Sequence, residues 1–306
     1  MTQKSFYLIT GATSGIGLEV ASQLARTDEA NFIIVGARNP AQAEALRRAV
    51  PHEQLLVLKL DTSSLKSVKS FITEVHTTLA TNMLSGMALN AGVQIISGDQ
   101  YSEDGFELTF ATNVLGHIIL FERLQSSLAS DAVIVSTASG THDKDHKLAK
   151  PYKFFGGYFP SAKDVAAGNV SKSTDKAQLG RDRYATSKLC NILFTYAMAR
   201  KFGEGGPRFI AFDPGLMPGT ELARDQPAAL RFAWKNILPT AAKLIDGAST
   251  AKRSGAMLAL LLSQKRFSSG TGLHVEFTGN EIPSSQMSHD KALQDELMAF
   301  ALTIEI

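Results

Sequence analysis

The run YLITGATSGIG, Tyr7 to Gly17, constrains the fold more than any other stretch of the 306 residues. An apolar segment breaks into three closely spaced glycines, Gly11, Gly15 and Gly17, and an apolar pattern of helical period follows. The chain therefore reads strand, turn, helix. Lacking a Cβ, the glycines permit positive φ in the turn and let an anionic group approach the backbone at a helix N-terminus. A dinucleotide's pyrophosphate needs that arrangement, but three glycines in a turn are also ordinary loop chemistry. The rest of the chain has to decide between the two.

Further apolar strands recur with helices between them. NFIIVGARN ends near Gly36, QLLVLKLD closes on Asp61, LSGMALNAG ends in Asn90, Ala91 and Gly92, and AVIVSTAS ends at Ser139; PRFIAFDPG and GLHVEF complete the set. Helices are expected over about Ile16–Ala25, Ser64–Leu79, Gly105–Leu128, Tyr184–Lys201 and Thr250–Ser263. Such alternation predicts an α/β fold, a Rossmann-type doubly wound parallel sheet of seven strands in a single domain spanning 1–306. Ligands of such sheets bind at the carboxyl ends of the strands. Asn113 and Gly116 stand inside a predicted helix that both disfavour, which marks a close contact or a site. His117 reads as structural or exposed.

Two segments break the rhythm. Residues of about 140–183 form a long insertion rich in Lys, Asp, Gly and Pro, and about 216–246 read as a substrate lid, with Phe155, Met217, Phe232 and Trp234 as a candidate apolar wall. His142 and His146 are four apart but offer no third ligand, so no metal is expected. Net charge is +2, from 31 basic and 29 acidic residues, which gives no field to draw nucleic acid or a membrane surface. The longest apolar stretch, Ala256 to Leu262, is too short for a membrane span. One cysteine, Cys190, and no signal-peptide layout lead to a cytoplasmic expectation.

Chemistry enters at two places. Arg38 stands at the tip of the second strand, where an acidic residue accepts hydrogen bonds from an adenosine ribose and an arginine suits a 2′-phosphate; a solvated arginine is the plainer alternative. Tyr184 and Lys188 are four apart on a predicted helix and share a face. A cation beside a phenol lowers its pKa and makes it a usable proton donor, although helix-surface pairs of this spacing are common.

Taken together, TGATSGIG, LD at Leu60 and Asp61, NAG, Asn113 in TNVLGH, Ser139, YATSK and DPG resemble the short-chain dehydrogenase/reductase family over nearly the whole chain. The resemblance implies that Ser139 holds a substrate oxygen, Tyr184 exchanges a proton, Lys188 binds the nicotinamide ribose and tunes Tyr184, and Asn113 anchors a relay water. It places the cofactor against Gly11, Thr13, Ser14, Gly15, Ile16 and Gly17, with Arg38, Asp61 and Thr62 toward the adenosine and Asn90, Ala91, Gly92, Pro214 and Gly215 along the cleft. Ser136 and Thr137 compete with Ser139, which fits best by analogy with retinol-dehydrogenase-like members. The 45 positions from Ser139 to Tyr184 resemble the long connection of monomeric carbonyl reductases and of light-dependent protochlorophyllide reductases. The cysteine the photoenzymes carry after Pro-Gly is replaced by Leu216; Cys190 in SKLCN is a site candidate or a packed helix residue. The expected function is NADP-dependent carbonyl–alcohol interconversion, NADPH preferred over NADH, on an apolar small molecule, by a monomer or homodimer. The alternatives are a C=C or photoreductase, and a non-catalytic NADPH-binding sensor or scaffold.

Overall fold

The computed structural model describes residues 4–217, 247–264, 266–267 and 269–306. Seven strands form one sheet in the order β3-β2-β1-β4-β5-β6-β7, and every neighbouring pair is parallel. The strands are β1 (Ser5–Thr10), β2 (Asn31–Ala37), β3 (Leu55–Lys59), β4 (Leu84–Leu89), β5 (Leu128–Thr137), β6 (Arg208–Asp213) and β7 (Leu273–Glu276). The order reverses between β1 and β4, and a crevice opens at such a switch point.

Both faces are covered, as a parallel sheet requires. Along β1 the side chains alternate: Tyr7 and Ile9 join one buried cluster with Val20 and Leu24 of α1 (Gly15–Thr27) and Leu46 of α2 (Glu44–Ala49). Phe6 and Leu8 join the other with Val68 and Phe71 of α3 (Leu65–Leu79). The following helices are α4 (Leu108–Phe110), α5 (Gly116–Leu124), α6 (Ala162–Ala167), α7 (Lys176–Phe202), α8 (Ala251–Leu262) and α9 (Lys291–Leu302). Phe121 of α5 anchors the second face, its ring 5.4 Å from both Phe194 of α7 and Phe209 of β6. Among the described residues no helix is long and apolar enough to cross a membrane.

Three expectations are corrected. The helix expected over Gly105–Leu128 is α4 and α5 joined by a π-helical turn, Ala111–Leu115, which absorbs Asn113 without a break. The helix expected from Tyr184 starts at Lys176, because the Asp175 side chain accepts a hydrogen bond from the Ala177 N–H and caps it. The insertion is correspondingly ordered: it holds α6, and Tyr158 N donates to Thr186 Oγ1 at 3.1 Å, whose hydroxyl donates back to Tyr158 O at 3.2 Å. Most of the expected lid, with Phe232 and Trp234, lies outside the described residues.

Gly116 explains itself by approach. A Cβ there would lie 2.0 Å from the Thr62 carbonyl oxygen, so the start of α5 rests directly on the β3–α3 turn. Backbone cannot give way as a side chain can. Gly116→Ala is expected to cost about 3 kcal/mol, the upper end for overpacking, and to lower Tm by roughly 5 °C in a calorimetric scan. An unchanged Tm would show that the turn yields.

Candidate active site

The glycine turn is built by close backbone contact. Gly11 and Gly15 have φ of +71° and +61°. A Cβ on Gly11 would lie 2.9 Å from Ala91 Cα, and one on Gly17 would lie 2.5 Å from Gly11 O, so these residues draw the ends of β1 and β4 onto α1. At Gly15 a Cβ would meet nothing within 4 Å. That open face adjoins a helix end where Ser14 makes no side-chain cap and the first turn has no acid. Unsatisfied N–H groups and the positive end of the helix dipole remain there, and they fit a pyrophosphate.

Thr10 ties this crevice together. Its Oγ1 accepts from the N–H groups of Asn90 and Ala91, each at 2.9 Å, and lies 2.9 Å from His117 Nε2. His117 Nδ1 lies 3.2 Å from the Asn113 carbonyl and must donate to it, so Nε2 accepts the threonine proton. Burial pushes the His117 pKa down to about 4, which keeps the ring neutral and this assignment intact. His117 is thus buried, and its spacing of four from Asn113 was the one signal in the sequence that pointed to the bond.

Ser139, Tyr184 and Lys188 converge. Lys188 Nζ donates to the Thr137 carbonyl at 2.8 Å, and Asn191 Nδ2 donates to the same oxygen at 2.9 Å. Two residues beyond Thr137, Ser139 caps the short turn Gly140–His142, its Oγ accepting from Thr141 N at 3.3 Å. Its hydroxyl also acts on the Tyr184 phenol, holding its pKa down against burial. Of the competing residues, Thr137 turns its hydroxyl to Asn90 Oδ1 at 3.4 Å, and Ser136 is buried in the strand.

The phenol's acidity departs from expectation. Burial, and secondarily the Asp213 carboxylate at the end of β6, raise the Tyr184 pKa, while Ser139 opposes the shift. Lys188 does not reverse it, because its ammonium lies over the ring, 5.5 Å from the centroid, and donates to Thr137 O. Burial pushes Lys188 itself down to about 8, against the pull of Asp213. Asn113 sits below the site: its Nδ2 donates to Val93 O and to Ser187 Oγ, both at 3.0 Å, and Oδ1 accepts from Val93 N at 2.8 Å. Both amide hydrogens are thereby taken up, one holding the loop after β4 at Val93 and the other holding α7 at Ser187. Cys190 is fully buried with its thiol pKa raised by desolvation, which makes it a packing residue.

One cavity of about 560 Å³ joins these parts. Its wall runs from Ser14, Gly15 and Ile16 past Asn90 and Gly92 to Ser139, Tyr184 and Lys188, and on to Pro214 and Gly215. Gly11, Gly17 and Ala91 stand behind the wall, and Thr13 is not part of it. Asp61 accepts from Ser63 N at 3.0 Å in the turn before α3, Thr62 backs Gly116, and Arg38 is exposed with no ion-pair partner among the described residues. The insertion supplies Leu148, Ala149, Pro151 and Phe154 to the wall, and Met217 joins them. Phe154, not Phe155, faces the site, its ring 5.9 Å from Tyr184, while Phe155 is 61% exposed.

The description of the family "short chain dehydrogenase" matches residues 5–153. Short-chain dehydrogenase TIC 32 B, chloroplastic, of Brassica napus is 33% identical over 244 residues, covering 75% of this chain and 71% of that protein. Protochlorophyllide reductase, chloroplastic, of Daucus carota is 29% identical over 275 residues, 86% of this chain and 67% of that one. Among solved structures, a protein of Mycobacterium Paratuberculosis superposes with a TM-score of 0.68 at 23% identity, over 98% of this chain and 93% of that chain. NADPH-bound carbonyl reductase from chicken fatty liver gives 0.61 at 18% identity, over 92% and 100%.

The buried histidines fix a pH dependence. The His117 pKa of about 4 lies below the unfolded value near 6.5, so on acidification the unfolded chain takes up its proton first. That stability is complete above pH ~6.5 and is lost as pH falls toward 4. His142, whose Nδ1 lies 2.7 Å from Ser139 O and whose Nε2 accepts from Ser285 N at 3.1 Å, is shifted in the same direction by burial. Urea unfolding at pH 5 is expected to give a stability about 2 kcal/mol lower than at pH 7.5 from His117 alone. Equal stability at the two pH values would contradict the neutral, buried assignment.

Proposed function

The chain belongs to the short chain dehydrogenase family, and from that premise we propose that it is an NADPH-dependent oxidoreductase interconverting a carbonyl and an alcohol. The observation that carries this reading is the meeting of Ser139, Tyr184 and Lys188 on the wall of the cavity that begins at the uncapped end of α1. When bound, the nicotinamide supplies or accepts the hydride.

The residues of this chain do the rest. The Ser139 hydroxyl orients the substrate oxygen. Tyr184 gives its phenolic proton to that oxygen as negative charge grows on it, the role of a general acid. A phenol whose pKa is raised by burial keeps its proton, which is the state a donor needs, so the free protein is set for reduction. The Lys188 ammonium lies over the ring and donates one hydrogen to Thr137 O, and its remaining hydrogens are available to a ribose. Arg38, exposed beyond β2 and without a carboxylate beside it, suits a 2′-phosphate. The NADPH named in the chicken structure supports the same choice.

The protochlorophyllide reductase relatives favour a second reading, reduction of a C=C bond. Against it, Leu216 stands where the resemblance would place a cysteine, and Cys190 is sealed from the cavity. The intact Ser139, Tyr184 and Lys188 likewise speak against a sensor without turnover.

Tyr184→Phe removes one hydroxyl and leaves the ring under Lys188. With a carbonyl that the unaltered protein reduces, turnover is expected to fall about 10²- to 10⁴-fold while the NADPH Kd changes little; a variant keeping more than about a tenth of the rate would contradict the donor role. A charged hydrogen bond contributes about 1.5–3 kcal/mol, so the unaltered protein should prefer NADPH over NADH by roughly tenfold or more, and Arg38→Ala should remove most of that preference. Equal Kd values for the two cofactors by calorimetry would reduce Arg38 to a surface residue.

A further inference from the structure

Arg181, Asp182 and Arg183 stand in a row before Tyr184, and two of them are taken up by structure. Arg183 is buried, donating from Nε to Gly168 O at 3.1 Å and pairing with Asp99 at 2.8 Å. Asp182 accepts from the Ser171 hydroxyl and, at 2.7 Å, from Gln178 Nε2. Arg181 differs from both. It lines the cavity, half-buried, and its one hydrogen-bond partner among the described residues is neutral: Nη1 donates to Gln178 Oε1 at 3.5 Å. No described carboxylate forms an ion pair with it. A guanidinium without a counter-charge beside apolar surface has a desolvation cost that no ion pair among the described residues offsets.

Its position is specific. Arg181, Tyr184 and Lys188 are spaced three and four apart, so they succeed one another along one face of α7. Lys188 is on the side of the β5 end, toward the glycine turn; Arg181 is one turn the other way from the phenol. On the same wall the insertion adds Leu148, Pro151 and Phe154, together with Lys153, whose ammonium also has no acidic partner among the described residues. Gln178 ties the backbone at Lys153 to Arg181, since its Nε2 donates to Lys153 O at 3.1 Å while its Oε1 receives Arg181. The carboxylates on the wall are engaged elsewhere: Asp213 Oδ1 accepts from Gly215 N at 2.9 Å, and Glu276 accepts from the Thr278 hydroxyl.

We propose that Arg181, assisted by Lys153, binds a carboxylate of the substrate, so that the substrate class is a carbonyl or alcohol carried on an apolar body with a carboxylate about one helical turn from the reacting oxygen. The proposal rests on the oxidoreductase reading for its reacting group and on Arg181 for its anion. A planar guanidinium fork matches a carboxylate bidentately, and an apolar wall strengthens the pair.

The test uses the full chain with NADPH and two keto acids, 3- and 4-acetylbenzoate, each against its methyl ester. The acid is expected to exceed its ester in kcat/KM by at least tenfold, chiefly through KM, and Arg181→Gln should reduce that preference at least tenfold, Lys153→Gln by a smaller factor. A preference that is absent, or that survives Arg181→Gln unchanged, overturns the proposal. A second arm needs no turnover: calorimetry of biphenyl-4-carboxylate against its methyl ester on the NADP-loaded protein. Binding of the carboxylate weakened at least tenfold by Arg181→Gln supports the anion subsite even if neither ketone is reduced, in which case the oxidoreductase reading is what fails. Carboxylate binding indifferent to Arg181 overturns the subsite whatever the turnover.

Discussion

The site depends on one carbonyl oxygen. Thr137 O, at the last residue of β5, receives both Lys188 Nζ at 2.8 Å and Asn191 Nδ2 at 2.9 Å, which locks the middle of α7 to the end of the strand. With that fixed, Ser139 follows two residues later and meets Tyr184, one turn before Lys188 on the helix. The lysine is desolvated, as its fall to about 8 records, and a hydrogen bond from a charged donor, ~1.5–3 kcal/mol, helps to offset that cost. Placing the ammonium over the phenol ring instead of at its oxygen leaves the phenol protonated.

A second constraint is how closely backbones must approach at the strand ends. Gly11 against Ala91, Gly17 against Gly11 O and Gly116 against Thr62 O allow no side chain between them. Buried polar groups in such a place need partners, and Thr10, Asn90, Asn113 and His117 supply one another. The network is neutral, so it forms without burying a charge. The insertion closes the opposite side: Gly180 packs where a Cβ would lie 2.2 Å from Ile95 O, and the loop ahead of it carries Phe154 to the phenol.

Much of this was legible in the sequence, and for physical reasons. Strand, glycine turn and helix at Tyr7–Gly17 follow from periodicity and from the need for positive φ; the seven parallel strands follow from regular alternation of elements. The YATSK spacing placed Tyr184 and Lys188 on one face. Other features were not legible because they depend on contacts distant in sequence. The start of α7 at Lys176 is decided by a cap within a polar stretch that reads as loop. The π turn at Ala111–Leu115 has no periodic signature. Which of Phe154 and Phe155 faces the cavity depends on the backbone around Lys153, which is left-handed at φ +62°. The effect of Lys188 on Tyr184 depends on whether its ammonium meets the ring or the hydroxyl, which spacing alone does not fix.

The central claim is that the fold holds a proton on Tyr184, buried in the wall of the cavity, ready for a carbonyl oxygen. It is tested most directly by carbon NMR of the protein labelled at the ζ carbon of its six tyrosines, titrated from pH 6 to 10, with the Tyr184→Phe spectrum identifying the resonance. The account predicts that the Tyr184 signal stays at the position of a neutral phenol throughout. A Tyr184 signal that moves to the phenolate position by pH 8 would contradict it.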